Sequence, residues 1–65
     1  MTIQLNGEEH ETKALKIYAL LEELGYSGQP VLVEWNGAAL FPREFESTQV
    51  AHGDQIELIR VVAGG

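Results

Sequence analysis

The sequence predicts an α+β fold in which one helix packs across a mixed sheet of four to five strands. One segment has apolar residues at helical spacing, and the others alternate in polarity or are short apolar runs bounded by Asn-Gly pairs or proline. With 65 residues, 45% of them hydrophobic, the chain has room for one small core. We therefore expect a single domain over residues 1–62, followed by a flexible tail at 63–65.

The N-terminal segment is typical of a β-hairpin. Ile3 and Leu5 alternate with polar residues, which predicts a half-buried first strand. Asn6-Gly7 follows, and this pair tolerates the positive φ angles of a two-residue hairpin turn. Residues 8–13 then form the return strand, whose polar composition predicts an exposed edge that discourages pairing with other chains.

A helix is predicted from about Ile17 to Leu24. Apolar residues recur there at i, i+3, i+4 and i+7, which places them on one face. Gly25 follows at the position where helices commonly end with a left-handed residue. Lys16 precedes the helix and has no oxygen that can accept a hydrogen bond from the first turn, so we expect the usual side-chain cap to be missing.

A second hairpin is predicted after the helix. Pro30 introduces an apolar strand at residues 31–35, and Asn36-Gly37 supplies another two-residue turn. Pro42 limits the return strand to residues 38–41, because proline cannot donate to a strand ladder.

The longest strand is predicted at residues 55–62. Residues 44–51 are expected to be irregular or to form one short helical turn, and His52-Gly53-Asp54 forms the turn before the strand. Strand alternation places Ile56 and Leu58 on one face, which we expect to be the face covered by the helix.

The order of elements favours one topology. The long final strand belongs at the centre of the sheet, parallel to the first strand, so that the short polar strands lie at the edges. The helix then buries its apolar face against the sheet. This arrangement is the β-grasp architecture.

Charge and composition exclude several classes of protein. Ten acidic and four basic residues give a net charge of −6, so we expect no binding to nucleic acid or to anionic membranes, and a partner with a basic surface instead. The absence of cysteine excludes disulfides and thiolate nucleophiles or metal ligands. Because neither a signal peptide nor a membrane-spanning stretch is recognisable, we expect a cytoplasmic protein.

Neither a catalytic nor a metal site is predicted. His10 and His52 have no convincing second ligand or nucleophile near them in the sequence. The adjacent glutamates at 8–9 and 22–23 point in different directions on a strand or helix, so they do not form acid–base pairs.

The last three residues are Ala63, Gly64 and Gly65. Glycines without a Cβ make a slim segment that can thread into the active site of another protein. The terminal carboxylate is an anion at neutral pH and therefore a poor electrophile, so acyl chemistry there requires activation, for which ATP is the expected source. The alternative is that these glycines are merely a frayed end.

The order of the motifs resembles that of the ThiS family, the ubiquitin-like β-grasp sulfur carriers of thiamin biosynthesis. The matching features are Leu20-Leu21-Glu22-Glu23-Leu24, Asn36-Gly37, Pro42-Arg43, Gly53-Asp54-Gln55-Ile56-Glu57 and Val61-Val62-Ala63-Gly64-Gly65. They extend over essentially the whole chain.

The resemblance implies that the chain is a protein cosubstrate and not an enzyme. An ATP-dependent E1-like adenylyltransferase would adenylate Gly65, and a persulfide sulfur donor would convert it to a thiocarboxylate that gives its sulfur to thiazole synthase. Gly64 and Ala63 would keep the tail narrow enough for threading. No bound cofactor is implied, because the ATP is used by the activating enzyme.

A docking surface for that enzyme is predicted near the end of the last strand. Ile59 and Val61 fall on the face opposite Ile56 and, beside Leu32, would form a small apolar patch. Arg60 is a candidate contact for acidic or phosphate groups of the partner. The alternative is that these residues are only strand formers and solvated charge.

Other functions remain open at this point. The same tail chemistry would serve a sulfur carrier for molybdopterin or another pathway. A ubiquitin-like protein modifier would use the activated glycine to form an isopeptide bond, and a noncovalent β-grasp interaction module would not use the glycines at all.

Overall fold

The computed structural model describes residues 1–61, which form five strands, one α-helix and one short 3-10 helix. In chain order these are β1 (Thr2–Leu5), β2 (Glu8–Glu11), α1 (Ile17–Glu23), β3 (Val31–Trp35), β4 (Ala38–Leu40), the 3-10 helix (Pro42–Glu44) and β5 (Gln55–Arg60). Residues 62–65, which include the predicted tail at 63–65, lie outside the described part.

The five strands form one mixed sheet with the order β2-β1-β5-β3-β4. The β1–β2 and β3–β4 pairs are antiparallel hairpins, β5 runs parallel to β1, and β5 is antiparallel to β3. The predicted central position of the last strand and its parallel pairing with the first strand are therefore confirmed.

Both Asn-Gly pairs form the predicted hairpin turns. Asn6 and Gly7 have φ angles of 51° and 82°, and Asn36 and Gly37 have 49° and 84°. Positive φ at both central residues matches the right-handed twist of the flanking strands. The Asn6 side chain also accepts a hydrogen bond from the Leu58 N–H at 2.8 Å, which fixes the first hairpin to β5.

The helix begins without a side-chain cap, as predicted for Lys16. The backbone of a neighbouring loop takes over this role. The N–H groups of Ile17 and Tyr18 donate to the carbonyl oxygens of Thr48 and Phe45, both at 3.0 Å. Because these N–H groups have no partner within the helix, the loop satisfies donors that a cap residue normally serves.

The helix ends at Glu23, one residue before the predicted Leu24, which is the C-cap. Gly25 has the expected left-handed conformation, with φ of 83°. The N–H of Tyr26 donates to the Leu21 carbonyl at 2.8 Å, the bond that defines a Schellman motif.

The core lies between the helix and one face of the sheet. Ile56 and Leu58 are buried there, which confirms the predicted orientation of β5. Trp35 is only partly buried and packs at the margin of this core. The buried apolar residues are Ile3, Ala14, Ile17, Leu20, Leu21, Val33, Phe45, Val50, Ile56 and Leu58.

Strand β5 ends at Arg60, before the predicted end at residue 62. The neighbouring strand explains this limit. Val31 pairs with Arg60, and the residue before Val31 is Pro30, which has no N–H to continue the ladder. Val61 makes one more contact, in which its N–H donates to the Pro30 carbonyl at 3.1 Å.

Three other boundaries differ by one or two residues. Strand β4 ends at Leu40, one residue before the predicted end at residue 41. Strand β2 ends at Glu11 and not at residue 13; beyond it, Thr12 and Met1 still exchange two backbone hydrogen bonds of 2.9 Å. The helical turn expected within 44–51 occurs earlier, at Pro42–Glu44. Proline suits the first position of a helix, and the Glu44 carboxylate accepts the Phe41 N–H at 2.8 Å.

Among residues 1–61, the helices are too short and insufficiently apolar for a membrane span.

Candidate functional site

The face of the sheet opposite the helix is exposed, and we call it the open face. Leu32 lies directly opposite Ile59 in the β3–β5 pairing, and Glu34 lies directly opposite Glu57. Leu32 is 60% exposed and Ile59 is 54% exposed. The open face therefore presents an apolar pair next to an acidic pair.

The apolar pair forms part of a groove of about 280 Å³ on the open face. Its apolar lining includes Leu32, Ile59, Ala39, Phe41 and Pro42. The Phe41 ring is 58% exposed, and the guanidinium of Arg43 lies 4.8 Å from its centroid. The predicted patch lacks Phe41, because the position of this residue depends on how β4 pairs with β3.

Val61 lies just beyond β5 and lines a second depression, of about 350 Å³, which we call the end cleft. Residues of the helix, the loop after it, β3 and the 3-10 helix line the end cleft. Its lining comprises Tyr18, Leu21, Tyr26, Ser27, Gly28, Gln29, Pro30, Val31, Leu32, Pro42, Phe45 and Val61. Leu32 borders both depressions, so the predicted residues Leu32, Ile59 and Val61 surround one continuous apolar surface.

Arg60 does not share this surface. It pairs with Val31, and strand alternation places it on the opposite side of β5 from Ile59. The four residues predicted to contact a partner thus separate into three apolar residues that line the groove or the end cleft and one exposed arginine that lines neither.

Asp54, just before β5, connects three segments of the chain. Its carboxylate accepts hydrogen bonds from the Trp35 indole N–H and the Asn36 amide, each at 3.1 Å, and from the Ala51 N–H at 2.8 Å. Asn36 in turn accepts the Gln55 N–H at 2.8 Å. This network fixes the second hairpin to the start of β5, a role that the turn predicted at His52-Gly53-Asp54 does not reveal.

The same hydrogen bonds set the ionisation of Asp54. Partial burial by itself raises the pKa of this carboxyl group, but donors from Ala51, Asn36 and Trp35 favour the anion and lower the pKa overall. Asp54 is therefore a structural carboxylate that stays charged at neutral pH.

A second polar cluster joins β2 to the end of the helix. The Thr12 hydroxyl donates to the Glu23 carboxylate, with oxygen distances of 3.0 and 2.9 Å, and accepts the Ala14 N–H at 3.0 Å. The His10 ring lies 3.2 Å from Glu23. Desolvation raises the pKa of Glu23, but the hydrogen bonds from His10, Thr12 and the Lys13 N–H lower it overall.

Within residues 1–61, the histidines and carboxylates do not form a group of three that could hold a metal ion. His52 has a structural contact, because its Nδ1 accepts the Thr2 N–H at 3.2 Å. These observations leave the open face and the end cleft as the candidate site for a protein partner.

The predicted covalent site, Gly65, and the threading residues Gly64 and Ala63 lie outside the described residues. Covalent geometry alone limits their distance from the site. Four residues follow Val61, and at about 3.3–3.6 Å per residue they reach at most about 14 Å from it.

Comparison with known proteins identifies the fold and the family of this chain. The crystal structure of a thiamine biosynthesis protein (ThiS) from Geobacter metallireducens superposes with a TM-score of 0.85 and 30% identity, covering all of both chains. This similarity confirms the predicted ubiquitin-like β-grasp fold.

Two relatives are similar in sequence over the whole chain. Both are described as uncharacterized protein ycf40: the one from Pyropia yezoensis is 35% identical and the one from Porphyra purpurea is 33% identical, and 93% of each is covered. A model of the ThiS family matches residues 3–65, which is nearly the entire sequence. The chain belongs to the ThiS family.

Proposed function

We propose that this chain is a sulfur carrier for the formation of the thiamin thiazole. Its Gly65 carboxylate is adenylated by an ATP-dependent E1-like adenylyltransferase and converted to a thiocarboxylate, which donates its sulfur through thiazole synthase. The observation that carries this proposal is the family match, which continues to residue 65 and so includes Gly64-Gly65. The similarity to a thiamine biosynthesis protein favours the thiazole over other acceptors.

The chemistry follows from the properties of a carboxylate. Because the anion resists nucleophilic attack, adenylation is needed to convert one oxygen into part of a leaving group, AMP. The outer sulfur of a persulfide then attacks the carbonyl carbon and displaces AMP. A thiol takes up the inner sulfur as a disulfide, and the outer sulfur stays on Gly65 as the thiocarboxylate.

The folded domain supplies the docking surface in this proposal. The activating enzyme contacts the apolar surface around Leu32, Ile59 and Val61, from which Gly65 is within reach. Arg60, on the other side of β5, serves as a contact for acidic or phosphate groups at the edge of the complex. Gly64 and Ala63 pass through the narrow entrance of the enzyme.

The test uses the chain together with a ThiS-activating enzyme, ATP and a persulfide donor. Because the chain contains no cysteine, a thiol-selective alkylating reagent meets no side-chain thiol that would compete with a thiocarboxylate. We expect one alkyl group per chain, located by mass spectrometry on the C-terminal peptide. Alkylation also separates the product from oxidised Met1, which has nearly the same added mass.

Two variants and one further incubation complete the test. Gly64→Leu should abolish alkylation because the side chain blocks threading, whereas Gly64→Ala should retain most of it. Loaded protein incubated with thiazole synthase should lose its sulfur to the thiazole product. Conjugates to lysine would indicate a protein modifier, and an unmodified chain would refute the carrier function.

A further inference from the structure

Glu34 and Glu57 form a like-charge pair on the open face. They lie directly opposite each other on β3 and β5, and both are exposed. Side chains at such positions are about 4.5–5.5 Å apart at their Cβ atoms, and like charges there destabilise the sheet. The pair therefore carries an energetic cost in the free protein.

No ion pair in the described part of the chain offsets this cost. The ion pairs within residues 1–61 are Met1–Glu11, through the terminal amino group, and His10–Glu23. Neither Glu34 nor Glu57 takes part in them. The open-face positions next to the pair are uncharged: Leu32, Ala39, Gln55 and Ile59.

The acidic pair adjoins the apolar groove. Leu32 and Ile59 are each two residues along the same strands, a separation of about 6–7 Å. A partner that enters the groove therefore comes within reach of both carboxylates.

We propose that the open face docks a protein surface with two matched features. An aliphatic or aromatic side chain enters the groove, and an arginine or lysine about 6–7 Å away lies between Glu34 and Glu57. Arginine fits best, because its planar fork can donate to two carboxylates at once. The inference rests on the proposed function, since the partner is the enzyme that activates Gly65.

Charge excludes the other occupants of this face. A second copy docked face to face about a two-fold axis would bring four carboxylates together between chains that each carry a net charge of −6. Nucleic acid and anionic lipid are repelled for the same reason. A basic protein surface is the occupant whose charge complements the pair.

This role predicts opposite effects in the free and bound states. Neutralising the pair removes repulsion in the free protein and so should leave its thermal stability unchanged or raise it. The same change removes attraction for the cation of the partner and should weaken binding. A purely structural role would not weaken binding while preserving stability.

The experiment compares the double variant Glu34→Gln/Glu57→Gln with Glu22→Gln, which removes a charge from an exposed position on the helix. Affinity for the activating enzyme and thermal unfolding of the free chain are measured at several salt concentrations. We expect the double variant to bind about two- to tenfold more weakly at low salt. The difference should shrink at 1 M salt, where the Debye length is about 3 Å.

The groove is tested in the same assay with Ile59→Asp. Its control is Leu15→Asp, because Leu15 is 70% exposed but lies outside the open face. We expect Ile59→Asp to weaken binding at every salt concentration and Leu15→Asp to have little effect.

Each result decides between specific alternatives. If the double variant bound as tightly as the wild type with the same salt dependence, the bridging cation would be refuted even though the wild type is activated. If the enzyme failed to adenylate the wild type, the proposed function would be refuted, and so would the identification of this enzyme as the partner. Self-association of the wild type in sedimentation that Ile59→Asp abolished would show that a second copy occupies the face.

Discussion

At the residue scale, the Asp54 side chain connects the second hairpin to the start of β5. Three donors from Trp35, Asn36 and Ala51 converge on its carboxylate. Hydrogen bonds to a charged group contribute about 1.5–3 kcal/mol each, and a donor left without a partner adds a desolvation cost. The contacts fix the second hairpin against the start of β5, so they also maintain the spacing of the open face.

We predict that Asp54→Ala lowers the free energy of unfolding by roughly 2–3 kcal/mol, less than three full hydrogen bonds, because Asn36 and Ala51 are exposed and can donate to water instead. The loss should be this large because the indole N–H of the half-buried Trp35 is left without its acceptor. Urea denaturation followed by fluorescence measures the change, and Trp35 is the only tryptophan in the chain.

Glu46→Ala serves as the control, because Glu46 is exposed and its carboxylate has no hydrogen bond within residues 1–61. If Asp54→Ala were no more destabilising than this control, the network would be a consequence of the fold and not a support for it.

The sequence was sufficient to predict some residues of the candidate site but not others. Leu32 and Ile59 follow from strand alternation, which needs no knowledge of neighbouring strands. Phe41 joins the groove only through the β3–β4 pairing, and Glu34 meets Glu57 only through the β3–β5 register. Such contacts between distant segments are not encoded in local periodicity.

At the element scale, the N-terminus of the helix shows how tertiary structure replaces a missing local signal. Lys16 occupies the N-cap position with an extended backbone but without a capping side chain. Carbonyl groups at Phe45 and Thr48 accept the first helical N–H groups instead. The positive charge of Lys16 is also unfavourable beside the positive end of the helix dipole.

We predict that Lys16→Asp stabilises the protein by about 0.5–1 kcal/mol. Aspartate can accept a hydrogen bond from the third residue of the helix, Ala19, and its charge favours the helix N-terminus. Thermal or urea unfolding measures the gain.

The matched control is Lys13→Asp, which makes the same change of charge at an exposed position outside the helix. An equal gain in both variants would attribute the effect to net charge, and no gain at position 16 would mean that the loop carbonyls already satisfy the helix.

The same scale explains which boundaries could be predicted. The two hairpin turns and the C-terminus of the helix depend on Asn-Gly pairs and Gly25, whose conformational preferences are local. The end of β5 depends on Pro30, a residue of another strand whose missing N–H stops the ladder. A local pattern predicts the start of that strand but not the limit set by its neighbour.

At the scale of the whole molecule, protonation of the acidic residues has two opposing effects on stability. The net charge of −6 favours solubility and attraction to a basic partner, but it also causes self-repulsion that decreases as carboxylates are protonated. Glu23 and Asp54 behave in the opposite way, because both have a lowered pKa in the folded protein. For these two groups, protonation removes stabilising interactions.

The sign of this effect determines the pH range in which it appears. A carboxyl group whose pKa is lower in the folded state stabilises that state fully above its unfolded pKa, which is about 4.3 for glutamate and 3.9 for aspartate. The stabilisation is lost as the pH falls through the folded pKa. Glu23 and Asp54 should therefore contribute at neutral pH and lose their contribution below about pH 4.

We predict that the double variant Glu23→Gln/Asp54→Asn is less stable than the wild type at pH 7 and that the two converge at low pH. Its free energy of unfolding should decline less steeply on acidification below about pH 4, because it lacks the two groups that bind protons preferentially in the unfolded state. Urea denaturation at a series of pH values gives the free energy of unfolding against pH for both proteins. Glu46→Gln is the control, because it removes one negative charge at an exposed position. Parallel curves for the double variant and the wild type would show that these two carboxylates are as easily protonated in the folded protein as in the unfolded chain, and that general repulsion alone governs its response to acid.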